Sequence, residues 1–176
     1  MGVDPGAANL GFGVVRVEGN HMVALDGGVI ETAPSEAPEK RLTRIHKALS
    51  ELIEWHEPKA VAIEDLYFGK NVGSAMTVGQ AYGVALLAAG QRGVSCFAYT
   101  PQAIKQAVCG SGGAGKKQVI RMVATLLGLP EAPRDHAADA LAVAICHAGG
   151  AREEISVTRM PQSGQAQAAG AESVNG

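Results

Sequence analysis

The stretch KAVAIE, Lys59 to Glu64, constrains this chain more than any other. Four consecutive apolar residues stand between turn signals, in a run too short for a helix, and they read as a buried strand. The segments before it look like a strand meander. Gly2-Val3-Asp4 runs into the turn Pro5-Gly6, Leu10 to Val17 forms a second strand, and Met22 to Thr32 forms a third after Glu18-Gly19-Asn20. Leu42, Ile45, Leu49, Leu52 and Ile53 then recur at helical spacing and stop before Pro58. Beyond KAVAIE come a small-residue helix from Ser74 to Ala89 and a strand from Val94 to Tyr99. A short helix opens on the cap Thr100 with Pro101 at its first position and runs through Val108. After the loop GSGGAG, a further helix starts at Lys116 and is stopped by Gly128 and Pro130. PRDHAADALAVAICHAGG supplies the last helix. This order predicts one α/β domain over residues 1–149, with a mixed five-stranded sheet flanked by helices. The polar, small-residue segment 150–176 is expected to be a disordered tail.

A chain of 176 residues with 47% hydrophobic content suits a globular fold. It shows no secretory leader and no apolar span of membrane length, which argues for a cytoplasmic protein with no membrane partner. Cys96, Cys109 and Cys146 are odd in number and lack CxxC spacing, so they read as buried thiols rather than disulfides or a zinc site. Charge is unevenly placed. From Leu66 to Pro130 there are six basic residues and no acid, which leaves nine basic against seventeen acidic residues elsewhere. Such asymmetry suggests a basic surface facing a polyanion, although clustering on solvated faces gives the same count.

Carboxylates among apolar neighbours mark the chemistry. Asp4 ends the first strand, where Asp-Pro-Gly is also ordinary turn chemistry. Glu64 ends KAVAIE, where glutamate is a poor turn former. In the last helix His136 and Asp139 are three apart and share a face, while Asp135 reads as the N-cap. Three acids and an imidazole on three elements repel one another unless a cation sits among them, and oxygen-rich donors suit Mg²⁺ or Mn²⁺.

Five segments carry a resemblance: VDPGAANLGFGVV, VAIEDLYFGKN, GQAYGVALLAA, TPQAIKQAVCGSGGAGKKQV and DHAADALAVAICH. In that order, over Met1 to His147, they closely resemble the RuvC family of bacterial Holliday-junction resolvases. The resemblance implies an RNase H-like fold and a homodimeric endonuclease acting in recombination and repair. It also implies symmetric nicks in opposed strands of a four-way DNA junction, made by two-metal hydrolysis. By motif, Asp4, Glu64, His136 and Asp139 are the implied catalytic and metal-binding residues, with two Mg²⁺ or Mn²⁺ ions per site. Tyr67, Phe68, Lys70, Asn71, Lys105, Lys116 and Lys117 are the implied DNA-binding residues, an aromatic stacking at the junction centre and lysines meeting phosphates. RuvA and RuvB, the branch-migration proteins, are implied partners.

Two departures stand out. Much of the family has aspartate where this chain has His136, and histidine makes metal binding sensitive to imidazole protonation. Only three residues precede Asp4, which is expected to weaken the ladder holding it. Two other readings remain open. DPGAANLGFG also resembles the phosphate turn of actin-like ATPases, and a junction binder without cleavage would keep the basic stretch.

Overall fold

The computed structural model describes residues 1–6, 8–33, 35–65, 72–150 and 158–159. The chain opens as an antiparallel meander of β1 (Gly2–Asp4), β2 (Asn9–Glu18) and β3 (His21–Glu31). Then follow α1 (Pro38–His56), β4 (Ala60–Glu64), α2 (Val72–Gln91), β5 (Ser95–Tyr99), α3 (Pro101–Cys109), α4 (Lys116–Leu127), α5 (Asp135–Gly150) and β6 (Thr158–Arg159). The strands form one sheet in the order β3-β2-β1-β4-β5-β6. β4 lies parallel to β1 and β5, whereas the meander pairs are antiparallel. The sheet is mixed and flanked by helices, the RNase H-like arrangement expected. Its first five strands are those read from the sequence, and β6 adds a two-residue edge pair to β5. β6 falls within the segment read as a tail, the rest of which, from residue 151 on, lies outside the described residues.

Local chemistry sets the helix ends. Pro38 fixes the first turn of α1, and the helix closes where Glu57 adopts φ 44° and returns its N–H to the Ile53 carbonyl at 3.0 Å. The Thr100 hydroxyl caps α3 by accepting from the Ala103 N–H at 3.2 Å. Gly128, at φ 62°, ends α4.

The pleat of the sheet sorts its side chains. Val3, Val61 and Ile63 face one way and join Ile45, Leu49, Ile53 and the small residues Ala81, Ala85 and Ala88 in a core beneath α1 and α2. Ala62 faces the other way, into the core formed by α3, α4 and α5. Because strand residues alternate with period two, Gly2 and Asp4 share one face of β1, and Glu64 shares that of Ala62. α5 covers this face. A Cβ added at Gly2 would overlap the Ala140 carbonyl, one at Gly11 the His136 carbonyl, and one at Gly13 would lie 2.7 Å from Leu141 Cδ2. The helix therefore rests on the sheet almost backbone to backbone, with Ala137, Ala138 and Ala140 buried in the seam.

Short as it is, β1 is well held. Gly2, Val3 and Asp4 pair with Gly13, Phe12 and Gly11 on one side, and Gly2 and Val3 with Ala62 and Ile63 on the other. β1 is therefore supported from both sides at Gly2 and Val3, and Asp4 keeps its ladder pairing with Gly11 on the β2 side. The cysteine reading needs correction: Cys146 is buried, but Cys96 and Cys109 are only partly so. No helix among the described residues is long and apolar enough to cross a membrane.

The seat of α5 is testable by a single methyl group. Gly11→Ala is expected to destabilise the protein by about 1–3 kcal/mol through overpacking, lowering Tm by roughly 3–10 °C in a thermal melt. The same change at Gly90, in α2 with open space around it, is expected to be neutral or to stabilise by up to about 1 kcal/mol.

Candidate active site

Three elements converge where β1 ends. Asp4 is the last residue of β1, Glu64 the last of β4, His136 lies in the first turn of α5 and Asp139 follows one turn after Asp135. The glycine seat fixes the approach: α5 starts directly above Gly11, whose virtual Cβ would also lie 3.3 Å from the Asp4 Cβ. As a result His136 Nδ1 lies 3.0 Å from Asp4 Oδ2 across 132 residues of sequence.

Donor atoms of Asp4, His136 and Asp139 all lie within 4.8 Å of one another. This spacing of two carboxylates and an imidazole matches what a single divalent ion spans with oxygen and nitrogen ligands. Glu64 stands outside this close trio but within its field. Burial, then the charges of Asp4 and Asp139, push the Glu64 carboxyl up to about 7, with Lys105 and Lys116 pulling the other way. Burial also raises Asp4, and the nearby Asp139 adds to it, against the opposing hydrogen bond from His136. Both shifts report carboxylates crowded together away from water, a state that favours a proton or a cation. The donor set therefore fits the metal that the sequence implied.

Lysines frame the acids. Beside the trio lies a cavity of about 180 Å³ lined by Glu64, Lys105, Lys116 and Asp139, with Pro101, Ile104, Val119 and Ala142 as its apolar walls. Lys116 Nζ lies 3.2 Å from Asp139 Oδ2 and 3.5 Å from Asp135 Oδ2. Desolvation pulls the Lys116 ammonium down, but its hydrogen bond to Asp139 and the charges of Asp139 and Asp135 outweigh that and hold it above its ordinary value.

Of the residues singled out from sequence, Asp4, Glu64, His136 and Asp139 are gathered here, with Lys105 and Lys116 beside them. Lys117 is exposed on α4 and offers its carbonyl to Arg121. Tyr67, Phe68, Lys70 and Asn71 lie outside the described residues. Asp135 needs a correction. The Ala138 N–H bonds to the Arg134 carbonyl at 2.7 Å, so Arg134 stands at the cap position and Asp135 is the first helical residue. Its carboxylate faces Lys116. Sequence reasoning also passed over Gly2, Gly11 and Gly13 as the seat of the site; the spacing of Gly11 and Gly13 on one face of β2 was the available signal.

Residues 1–147 match the family model described as Crossover junction endodeoxyribonuclease RuvC. A crossover junction endodeoxyribonuclease RuvC of Pelotomaculum thermopropionicum is 52% identical over 149 residues, covering 84% of this chain and 91% of that protein. One of Rubrobacter xylanophilus is 51% identical over 149 residues, covering 84% of this chain and 83% of that protein. Among solved structures, Thermus thermophilus RuvC in complex with Holliday junction substrate superposes with a TM-score of 0.85 at 43% identity, covering 90% of this chain and 97% of that one.

The crowding has a consequence for stability. With the Glu64 carboxyl raised from 4.5 to about 7, the folded chain holds this proton more tightly than the unfolded chain. Metal-free stability is therefore expected to fall as pH rises from 4.5 through 7, since the folded state binds more protons across that window. Glu64→Gln is expected to flatten the fall and to raise Tm at pH 8 in chelator by roughly 3–6 °C. Millimolar Mn²⁺ at pH 8 is expected to raise the wild-type Tm by mass action and to raise that of Glu64→Gln less, in the same melts.

Proposed function

This chain belongs to the RuvC family of crossover junction endodeoxyribonucleases, metal-dependent nucleases that hydrolyse phosphodiester bonds, and on that premise we propose that it resolves four-way DNA junctions as a homodimer. The observation that carries this reading is the closure of Asp4, His136 and Asp139 to within 4.8 Å beside a lysine-framed cavity. Acids alone would repel a phosphodiester. Acids that concentrate cations, flanked by Lys105 and Lys116, can receive one.

Asp4, Glu64, His136 and Asp139 would hold the metal, two ions of Mg²⁺ or Mn²⁺ per site. When bound, these ions supply the activation of a water and the neutralisation of the leaving oxygen in an in-line displacement. The chain's own residues set the rest. Asp4 accepts the hydrogen bond or shares the proton of His136 Nδ1, which orients the ring. Lys105 and Lys116 place positive charge where the phosphate oxygens lie, so that charge developing in the transition state is met by groups already in position. The apolar walls of the cavity limit water around them and strengthen those charges.

Cleavage leaves 5′-phosphate and 3′-hydroxyl ends. Two sites in a dimer nick opposed strands symmetrically, and Tyr67, Phe68, Lys70, Asn71 and Lys117 extend the DNA contact. Their phosphate contacts make binding sensitive to salt. The protein works in the cytoplasm in homologous recombination and repair, alongside RuvA and RuvB. The 52% identity to a crossover junction endodeoxyribonuclease over 84% of the chain supports the reading as a junction-cleaving enzyme.

The test uses a synthetic four-way junction and a linear duplex of the same sequence, each with Mg²⁺ or Mn²⁺. Symmetric nicks in the junction alone are expected, with products that DNA ligase reseals directly. Asp4→Asn is expected to lower the cleavage rate by at least about 10³-fold while the junction still shifts in a binding gel. Junction binding with no cleavage under either metal would overturn the enzymatic part of this reading for the chain.

A further inference from the structure

Lys116 occupies an awkward position. It is the first residue of α4, whose N-cap, Gly115, makes no side-chain capping bond and whose first turn contains no acid. Lys117 follows it directly. Two ammonium groups there oppose the helix dipole, which favours anions at that end. Compensation comes from another helix: α5 presents Asp135 and Asp139 to Lys116 at 3.5 Å and 3.2 Å.

These two acids do not have the same task. Asp139 belongs to the trio that would hold a cation, so a bound metal would compete with Lys116 for its carboxylate. Asp135 sits one turn earlier, with its side chain 67% exposed, and makes no part of the trio. It is the acid left to hold the Lys116 ammonium at the rim of the cavity when Asp139 is engaged. The placement also suits Asp135 itself, since a carboxylate in the first turn of α5 is stabilised by that helix's own dipole. A carboxylate this close to the DNA path has an evident cost, because it repels phosphates.

We propose that Asp135 is a positioning residue for the cleavage reaction, aiming the Lys116 ammonium at the phosphate from the start of the neighbouring helix. The inference rests on the resolvase reading above and adds a residue to its machinery. It separates two effects that a bare surface charge would not. If Asp135 only adds negative potential, removing it tightens DNA binding and leaves the chemical step alone. If it aims Lys116, removing it slows the chemical step while binding holds or tightens.

The experiment measures junction affinity in Ca²⁺ or chelator, and the single-turnover cleavage rate at saturating protein in Mg²⁺ or Mn²⁺. Asp135→Asn is expected to cleave roughly 5- to 20-fold more slowly, with junction Kd unchanged or lower. Asp135→Glu is expected to recover to within about 2-fold of wild type, since the longer acid can still reach the ammonium. As a readout independent of cleavage, ¹³C-dimethylation of lysines places an NMR probe on Lys116 in the metal-free protein, assigned with Lys116→Arg. Its resonance is expected to move in Asp135→Asn and to return towards wild type in Asp135→Glu. Wild-type cleavage by Asp135→Asn, equal losses in the Asn and Glu variants, or an unmoved Lys116 resonance would each overturn the proposal. Wild-type protein that cleaves no junction would instead overturn the resolvase reading, which keeps the two failures distinct.

Discussion

The active end of this protein depends on how closely α5 can lie on the first two strands. Gly2, Gly11 and Gly13 leave no room for side chains between the sheet and the helix, and buried alanines complete the seam. Any larger residue in that layer lifts or slides the helix. Such a shift is felt at once, because His136 reaches Asp4 at 3.0 Å from the first turn of the same helix. Protein interiors are packed too densely for a gap of this kind to be absorbed elsewhere. The same layer of glycine and alanine thus serves the stability of the core and the geometry of the site.

That packing gathers charges that would separate if free to do so. Burial and mutual repulsion push the Glu64 carboxyl up to about 7, and burial raises Asp4 as well. Lysines are present in the same space and oppose the shift at both carboxylates, yet the site remains tuned to accept a further cation. A fold built only for stability would place apolar or singly paired residues there. The strain is local to the ends of β1 and β4, where the strands emerge from a well-packed core and can carry it.

Most of the fold was legible in the sequence because its signals are local. The turn Glu18-Gly19-Asn20 between β2 and β3, the helical spacing of Leu42 to Ile53, the Thr100 cap before Pro101 and the stop at Gly128 each act over a few residues. The structure reproduces those elements with shifts of a residue or two at the ends. Asp4, Glu64, His136 and Asp139 were legible as well, because ionisable residues at the tips of apolar elements are out of place unless they do something together. Asp135 differs from its local signal. Its neighbours describe a helix start, and a cap is the local answer. Its actual partner, Lys116, lies nineteen residues earlier on a different helix.

The sequence by itself determined which residues are apolar, where chain direction changes and which side chains bring charge to element ends. Those properties follow from covalent structure and from the two periodicities of strand and helix. Only the tertiary structure decided that Asp4 and Glu64 point to the face covered by α5, that the glycines admit the helix to backbone contact, and that Lys116 answers to α5 rather than to its own helix. These are matters of register and of the distance between elements remote in sequence. Burial of apolar surface drives such elements together, but it is non-directional; the shape left by missing side chains decides where they stop.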